Sequence, residues 1–236
     1  MPRLGIAEVT FTTRTGGVSR SPYESLNLAD HVGDDPDAVT ENRRRVARGI
    51  AGVPDDPRRW VWLRQVHGAR VVRADDAGVS GTDADAVVTT VPGLPLAILV
   101  ADCVPIALAT QHAVGAVHAG WKGLEAGVVA NAVAALGPGD VRALVGPCVN
   151  ACHYAFGEDD LARLAARFGR GVVSRTLDGD PALDLPAAVV AALAEAGVHD
   201  VARAAPCTAD APDRYFSHRR DGVTGRQAMI VVKKTT

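Results

Sequence analysis

Short runs of Val, Ile, Leu and Ala alternate with Gly-, Pro- and Asp-rich breaks along most of the chain, and four stretches carry helical spacing instead. A first strand is expected over Glu8 to Thr12. A polar stretch rich in Gly, Ser, Asn and Pro follows from Thr13 to Asp35. Such long segments without structure of their own are uncommon in compact domains and are often functional. Asp35-Pro36-Asp37-Ala38 combines an N-cap, a proline at the first helical position and an acidic first turn, which predicts a helix to about Ile50. Trp60 to Leu63 and Arg70 to Arg73 read as short strands on either side of Gln65-Val66-His67-Gly68. The runs Ala84 to Thr89, Pro95 to Ala101, Val104 to Ala109 and Val114 to His118 are apolar at nearly every position, as in strands buried on both faces. Helices are expected over Leu124 to Leu136, Glu158 to Phe168 and Pro186 to Ala196, and strands over Val141 to Val145 and Ala228 to Lys233. This order mixes helix and strand without the regular alternation of a doubly wound sheet.

The 236 residues suffice for one sizeable core, and no repeat or shift in composition marks a boundary, so a single domain over 1–236 is expected. Hydrophobic residues at 47% and charged residues at 22% argue against a mainly disordered chain. The formal net charge of −2 gives no basic excess that would draw a nucleic acid or a membrane surface. No apolar run approaches the length of a bilayer-spanning helix, and the N-terminus lacks a signal-peptide core. Four cysteines, Cys103, Cys148, Cys152 and Cys207, are too sparse for a disulfide framework. A cytoplasmic protein with free or metal-bound thiols is expected. Cys148 and Cys152 lack CxxC spacing and read as two ordinary thiols.

Three segments set a metal-capable side chain at the end of an expected strand: Gln65-Val66-His67-Gly68, Ala101-Asp102-Cys103-Val104-Pro105 and Val117-His118-Ala119-Gly120-Trp121. One thiolate and two imidazoles suit zinc, and three protein ligands leave a tetrahedral position open, which marks a catalytic site. Their spacing matches no local metal motif, however. Read locally, Cys103 also fits a small buried hydrophobe and the histidines fit residues satisfied by backbone. In the polar stretch, Arg14, Asn27 and His31 are candidates to hold phosphate or ribose beside Gly16-Gly17. Asp85 and Asp102 either orient a ligand histidine or, as the simpler reading, cap turns at strand ends. His112, His153, His199 and His218 read as surface or capping residues. Gly115 to Lys122 is not a P-loop, because Trp121 stands where that motif needs Lys.

Taken in order, Thr13-Arg14-Thr15-Gly16-Gly17-Val18-Ser19, Ser25-Leu26-Asn27-Leu28, His31-Val32-Gly33-Asp34-Asp35 and the three ligand-bearing segments resemble one family. Tyr215-Phe216-Ser217-His218-Arg219-Arg220 and Thr224-Gly225-Arg226 agree with it as well. It is the "multicopper polyphenol oxidase (laccase)" family, also called YfiH/YlmD-like or FAMIN-like, and the likeness runs from about Thr10 to Val232. The resemblance implies an α/β (α+β) fold, a single compact domain with mixed β-sheets flanked by helices. It implies a zinc-dependent enzyme that phosphorolyses adenosine, inosine and methylthioadenosine and deaminates adenosine, with purine nucleosides and phosphate as its partners. The metal ligands, which are also the catalytic residues, fall on His67, Cys103 and His118. Two departures stand out: Lys122 replaces the more usual Arg after His-Ala-Gly-Trp, and Gly146 to Tyr154 follows the family pattern loosely.

Three other readings follow from the same residues. An amidase that edits peptidoglycan precursors would use the same His–Cys–His set. A copper-dependent phenol oxidase would want an axial methionine, and the chain has only Met1 and Met229. A structural zinc protein would close the site with a fourth protein ligand, for which Cys148 and Cys152 are the candidates.

Overall fold

The computed structural model describes residues 3–204 and 206–234. Its strands are β1 (Arg3–Leu4), β2 (Ala7–Phe11), β3 (Val61–Trp62), β4 (Val71–Arg73), β5 (Ala86–Thr89), β6 (Pro95–Val100) and β7 (Val104–Ala109). They continue with β8 (Val114–Ala119), β9 (Arg142–Val145), β10 (Val173–Arg175), β11 (Pro181–Leu183), β12 (Asp200–Arg203) and β13 (Gln227–Lys233). The helices are α1 (Pro36–Gly49), α2 (Trp121–Glu125), α3 (Val128–Leu136), α4 (Glu158–Phe168), α5 (Leu185–Glu195) and α6 (His218–Asp221). One mixed sheet has the order β1-β2-β13-β6-β3 and a second the order β12-β9-β7-β8-β5-β4. Among the named strands, parallel pairing falls at the sheet edges, in β3 with β6, β4 with β5, and β12 with β9. β10 and β11 form a separate hairpin-like pair.

The continuous apolar runs are explained by the stacking. Leu96, Ile98 and Val100 of β6 and Met229 and Val231 of β13 meet Val87, Ala107, Ala109, Val114 and Ala116 between the two sheets. Alternate residues of the same strands, Ala97, Leu99, Ala228 and Ile230, face Val46, Ala47 and Ile50 at the end of α1. On the other sheet, Val104, Ile106, Leu108 and Val117 pack against Val128, Leu161, Val189 and Leu193 of the helices. The side-chain period of two thus puts apolar residues on both faces of each sheet. The layers run helix, sheet, sheet, helices, forming one compact α+β domain.

Asp35 caps α1 by accepting the backbone N–H of Asp37, with Pro36 at its first position. The helix expected over Leu124 to Leu136 is instead two helices, α2 and α3, divided at Gly127. Gly127 has φ 90°, a left-handed conformation that ends one helix and turns the chain into the next. Among the described residues no helix is long and apolar enough to cross a membrane.

Candidate metal centre

β6 belongs to the first sheet and β7 to the second, so residues 101–103 are the crossover between layers. The segment from β3 to β4 makes the same passage and carries His67. Both crossovers are tight: His67 has φ 58° and Asp102 φ 93°, the two positive-φ residues other than glycine among the described residues. Such backbone persists where surrounding contacts hold it, often at functional sites.

For His67 the holding group is Asp85, fully buried just before β5. Its carboxylate accepts the backbone N–H groups of Val66 at 3.3 Å, His67 at 2.9 Å and Gly68 at 2.7 Å. The same carboxylate lies 2.8 Å from Nδ1 of His118, near the end of β8. Burial opposes ionisation of Asp85, but the His118 ring and the amides hold its pKa below the ordinary range. An ionised carboxylate only accepts, so His118 donates through Nδ1 and leaves Nε2 as its free donor atom. Asp85 is therefore an orienting carboxylate for both histidines, more than the simple turn cap expected. Asp102 does the capping: it accepts Thr208 Oγ1 at 2.6 Å and the backbone N–H of Arg219, in α6, at 2.6 Å.

One ligand-capable atom from each of His67, Cys103 and His118 falls within a group spanning no more than 4.8 Å. Cys103 Sγ stands 3.6 Å from His67 Nε2. Tetrahedral zinc with ligand bonds of about 2.3 Å to sulfur and 2.0 Å to nitrogen sets such atoms about 3.5 Å apart. Gly120 completes the fit, since a Cβ there would lie 2.8 Å from His67 Cδ2 and 3.1 Å from Cys103 Sγ. Among the described residues no fourth His, Cys, Asp or Glu joins this group. Burial opposes the Cys103 thiolate, yet His118 and His67 bring its pKa down to about 6. Burial likewise opposes protonation of His118, yet Cys103 and Asp85 raise it to about 9. The donor set thus suits a zinc ion with one position open.

The group opens into a cleft of about 590 Å³ whose walls include Trp121, Lys122, Tyr154, His218 and Arg219. Arg219 stacks 4.8 Å from the Tyr154 ring centre. Burial, then Cys103, lifts the Tyr154 hydroxyl to about 12. Sequence reasoning did not single out Tyr154 or Arg219; the one signal available was their place in family-like segments.

Arg14, Asn27 and His31 are not part of this lining. Arg14 donates to the carbonyls of Glu24 and Pro212 and stacks over Phe216. Asn27 is fully buried, donating to Ala29 O and Asp34 Oδ2 and accepting the N–H groups of Ala29 and Arg226. It ties the long loop to the segment before β13. His31 lines another cavity, with Arg43 and Trp62.

Fold and donor set together define an α+β protein with an open group of three donors that could hold a metal ion. The chain belongs to the YfiH/YlmD-like family, whose model, described as multi-copper polyphenol oxidoreductase laccase, matches residues 8–234. It is 46% identical to a purine nucleoside phosphorylase of Streptomyces coelicolor over 95% of each chain. It is 40% identical to one of Corynebacterium glutamicum over 98% of this chain and 96% of the other. Among solved structures it resembles YlmD of Geobacillus stearothermophilus, with 33% identity and a TM-score of 0.87 over 98% of this chain and 93% of that one. The Neisseria meningitidis protein NMB0706 gives 34% identity and a TM-score of 0.90 over 100% and 97%.

Proposed function

We propose that this chain is a zinc-dependent, cytoplasmic purine nucleoside enzyme that phosphorolyses adenosine, inosine and methylthioadenosine and deaminates adenosine. The open His67–Cys103–His118 group at the base of a cationic, aromatic cleft carries this reading. The names of the relatives supply the substrate class. Bound by these three residues, zinc would supply Lewis acidity, polarising an oxygen or lowering the pKa of water.

The remaining work falls to the chain. In phosphorolysis an oxygen of inorganic phosphate bonds to C1′ while the C1′–N9 bond breaks, and the base leaves with the electron pair and takes up a proton. Lys122 and Arg219, on the cleft wall, draw in and orient the phosphate anion. We assign this part to them instead of Arg14, Asn27 and His31, whose side chains lie outside the lining or are held by the loop. Trp121 and Tyr154 give the purine flat apolar surfaces. Two imidazoles and one thiolate with no fourth donor from the described residues match the donor sets of catalytic zinc, which favours zinc over copper.

The test is turnover of inosine and adenosine, with and without phosphate, by wild type and Cys103→Ala with zinc assayed in both. Phosphate-dependent release of hypoxanthine that disappears in the variant together with one zinc supports the reading. A zinc-loaded wild type that turns over neither nucleoside sinks it and moves the site to amide hydrolysis of cell-wall precursors.

A further inference from the structure

A second group of ligand side chains lies outside the cleft, where neither the family reading nor the proposed reaction uses it. Cys152 and His153 stand in the turn after β9, and Cys207 and Asp210 in the segment after β12. One ligand-capable atom from each falls within a set spanning no more than 4.8 Å. The individual separations are informative. Cys152 Sγ lies 3.8 Å from Cys207 Sγ and 3.2 Å from His153 Nδ1. His153 Nδ1 lies 3.8 Å from Cys207 Sγ and 3.3 Å from Asp210 Oδ1. Asp210 Oδ2 is 3.6 Å from Cys152 Sγ.

A tetrahedral zinc with bonds of about 2.3 Å to sulfur and about 2.0 Å to nitrogen and oxygen has ligand–ligand edges of about 3.3 to 3.8 Å. Four of these separations, those among Cys152 Sγ, Cys207 Sγ, His153 Nδ1 and Asp210 Oδ1, fall on or close to those edges, and the other carboxylate oxygen, Oδ2, reaches Cys152. Two thiols, an imidazole nitrogen and a carboxylate are also a donor set that zinc accepts. The backbone N–H of Asn150 points to Cys207 Sγ at 3.4 Å, the kind of amide contact that steadies a ligand thiolate. We propose that Cys152, His153, Cys207 and Asp210 form a second zinc site, closed by four protein ligands and therefore structural.

Its position explains what such a site does. It staples two segments separated by 55 residues in sequence. Tyr154, next to His153, is on the cleft wall. Thr208, next to Cys207, donates its hydroxyl to Asp102, the neighbour of Cys103. The staple holds one side of the catalytic cleft without touching its open position.

Native mass spectrometry of reduced, zinc-loaded protein tests this independently of any activity. Wild type is expected to hold two zinc ions per chain, and Cys103→Ala and the double variant Cys152→Ser/Cys207→Ser one each. Because the double variant could misfold, cobalt loading of Cys103→Ala gives a second readout. Sulfur-to-cobalt charge transfer with intense tetrahedral visible bands is expected there, since the cleft has then lost its only thiolate. Cys103→Ala that binds neither zinc nor cobalt overturns the proposal, as does a Cys152–Cys207 disulfide that survives reduction and zinc loading.

Discussion

At the base of the cleft, Asp85 accepts a ring N–H from His118 and backbone N–H groups from Val66, His67 and Gly68. Replacing it by Asn keeps the volume but removes the charge and turns an N–H₂ toward groups that themselves donate. Partners that orient ligands in this way are worth roughly 10- to 100-fold in metal affinity. Asp85→Asn is expected to weaken zinc binding by that factor in a chelator competition; unchanged affinity would mean that the histidines are set by the fold alone. Gly120 makes a sharper case, because its missing side chain leaves the space that the donors share. Gly120→Ala puts a methyl 2.8 Å from His67 Cδ2, and the His67 ring is the part free to swing away. Loss of the cleft metal with unchanged circular dichroism is the expected result, while full retention of zinc in this variant rejects the geometry.

β5, β6, β7 and β8 were legible in the sequence because they are buried on both faces, which makes them apolar at nearly every position. α1 was legible from its N-cap, its proline at the first position and its acidic first turn, and α4 carries an acidic first turn as well. What escaped is short or exposed: β10 and β12 are mostly at the surface and offer little burial pattern. The break between α2 and α3 escaped for another reason. A lone glycine in an Ala/Val-rich helical pattern reads as tolerated, and only its φ of 90° makes it a boundary. That break keeps α2 to five residues, beginning at the Trp121 and Lys122 that wall the cleft. Forcing an L side chain into a left-handed conformation costs about 1–2 kcal/mol. Gly127→Ala is therefore expected to lower the unfolding free energy by about that amount in urea titration. An unchanged midpoint would show that the chain runs through as one helix after all.

Across the whole molecule, the three donors of the cleft meet because two crossovers between stacked sheets reach a strand end, bringing together residues 36 and 15 positions apart that no local spacing rule connects. This is why the three donors were recognisable by likeness to a family and not by a metal motif. Asp85 and the Cys207–Asp210 segment were harder still, since their partners are set only by the packing of layers. The same meeting couples protonation to metal uptake. Without metal, the contacts that bring Cys103 down to about 6 and lift His118 to about 9 make this pair a thiolate beside an imidazolium between these values, holding one proton. Zinc needs the thiolate and a neutral ring, so its entry displaces that proton. Affinity should then rise about tenfold for each pH unit from 6 to 9, flatten above 9, and fall more steeply below 6, where the thiol binds a proton as well. Zinc titration of the Cys152→Ser/Cys207→Ser chain, which isolates the cleft, checks this directly through affinity and released protons. Release of one proton per zinc at neutral pH is expected. An affinity that does not change across this range would mean that Cys103 is already a thiolate and His118 already neutral, with no proton left for zinc to displace, and would overturn the ion pair.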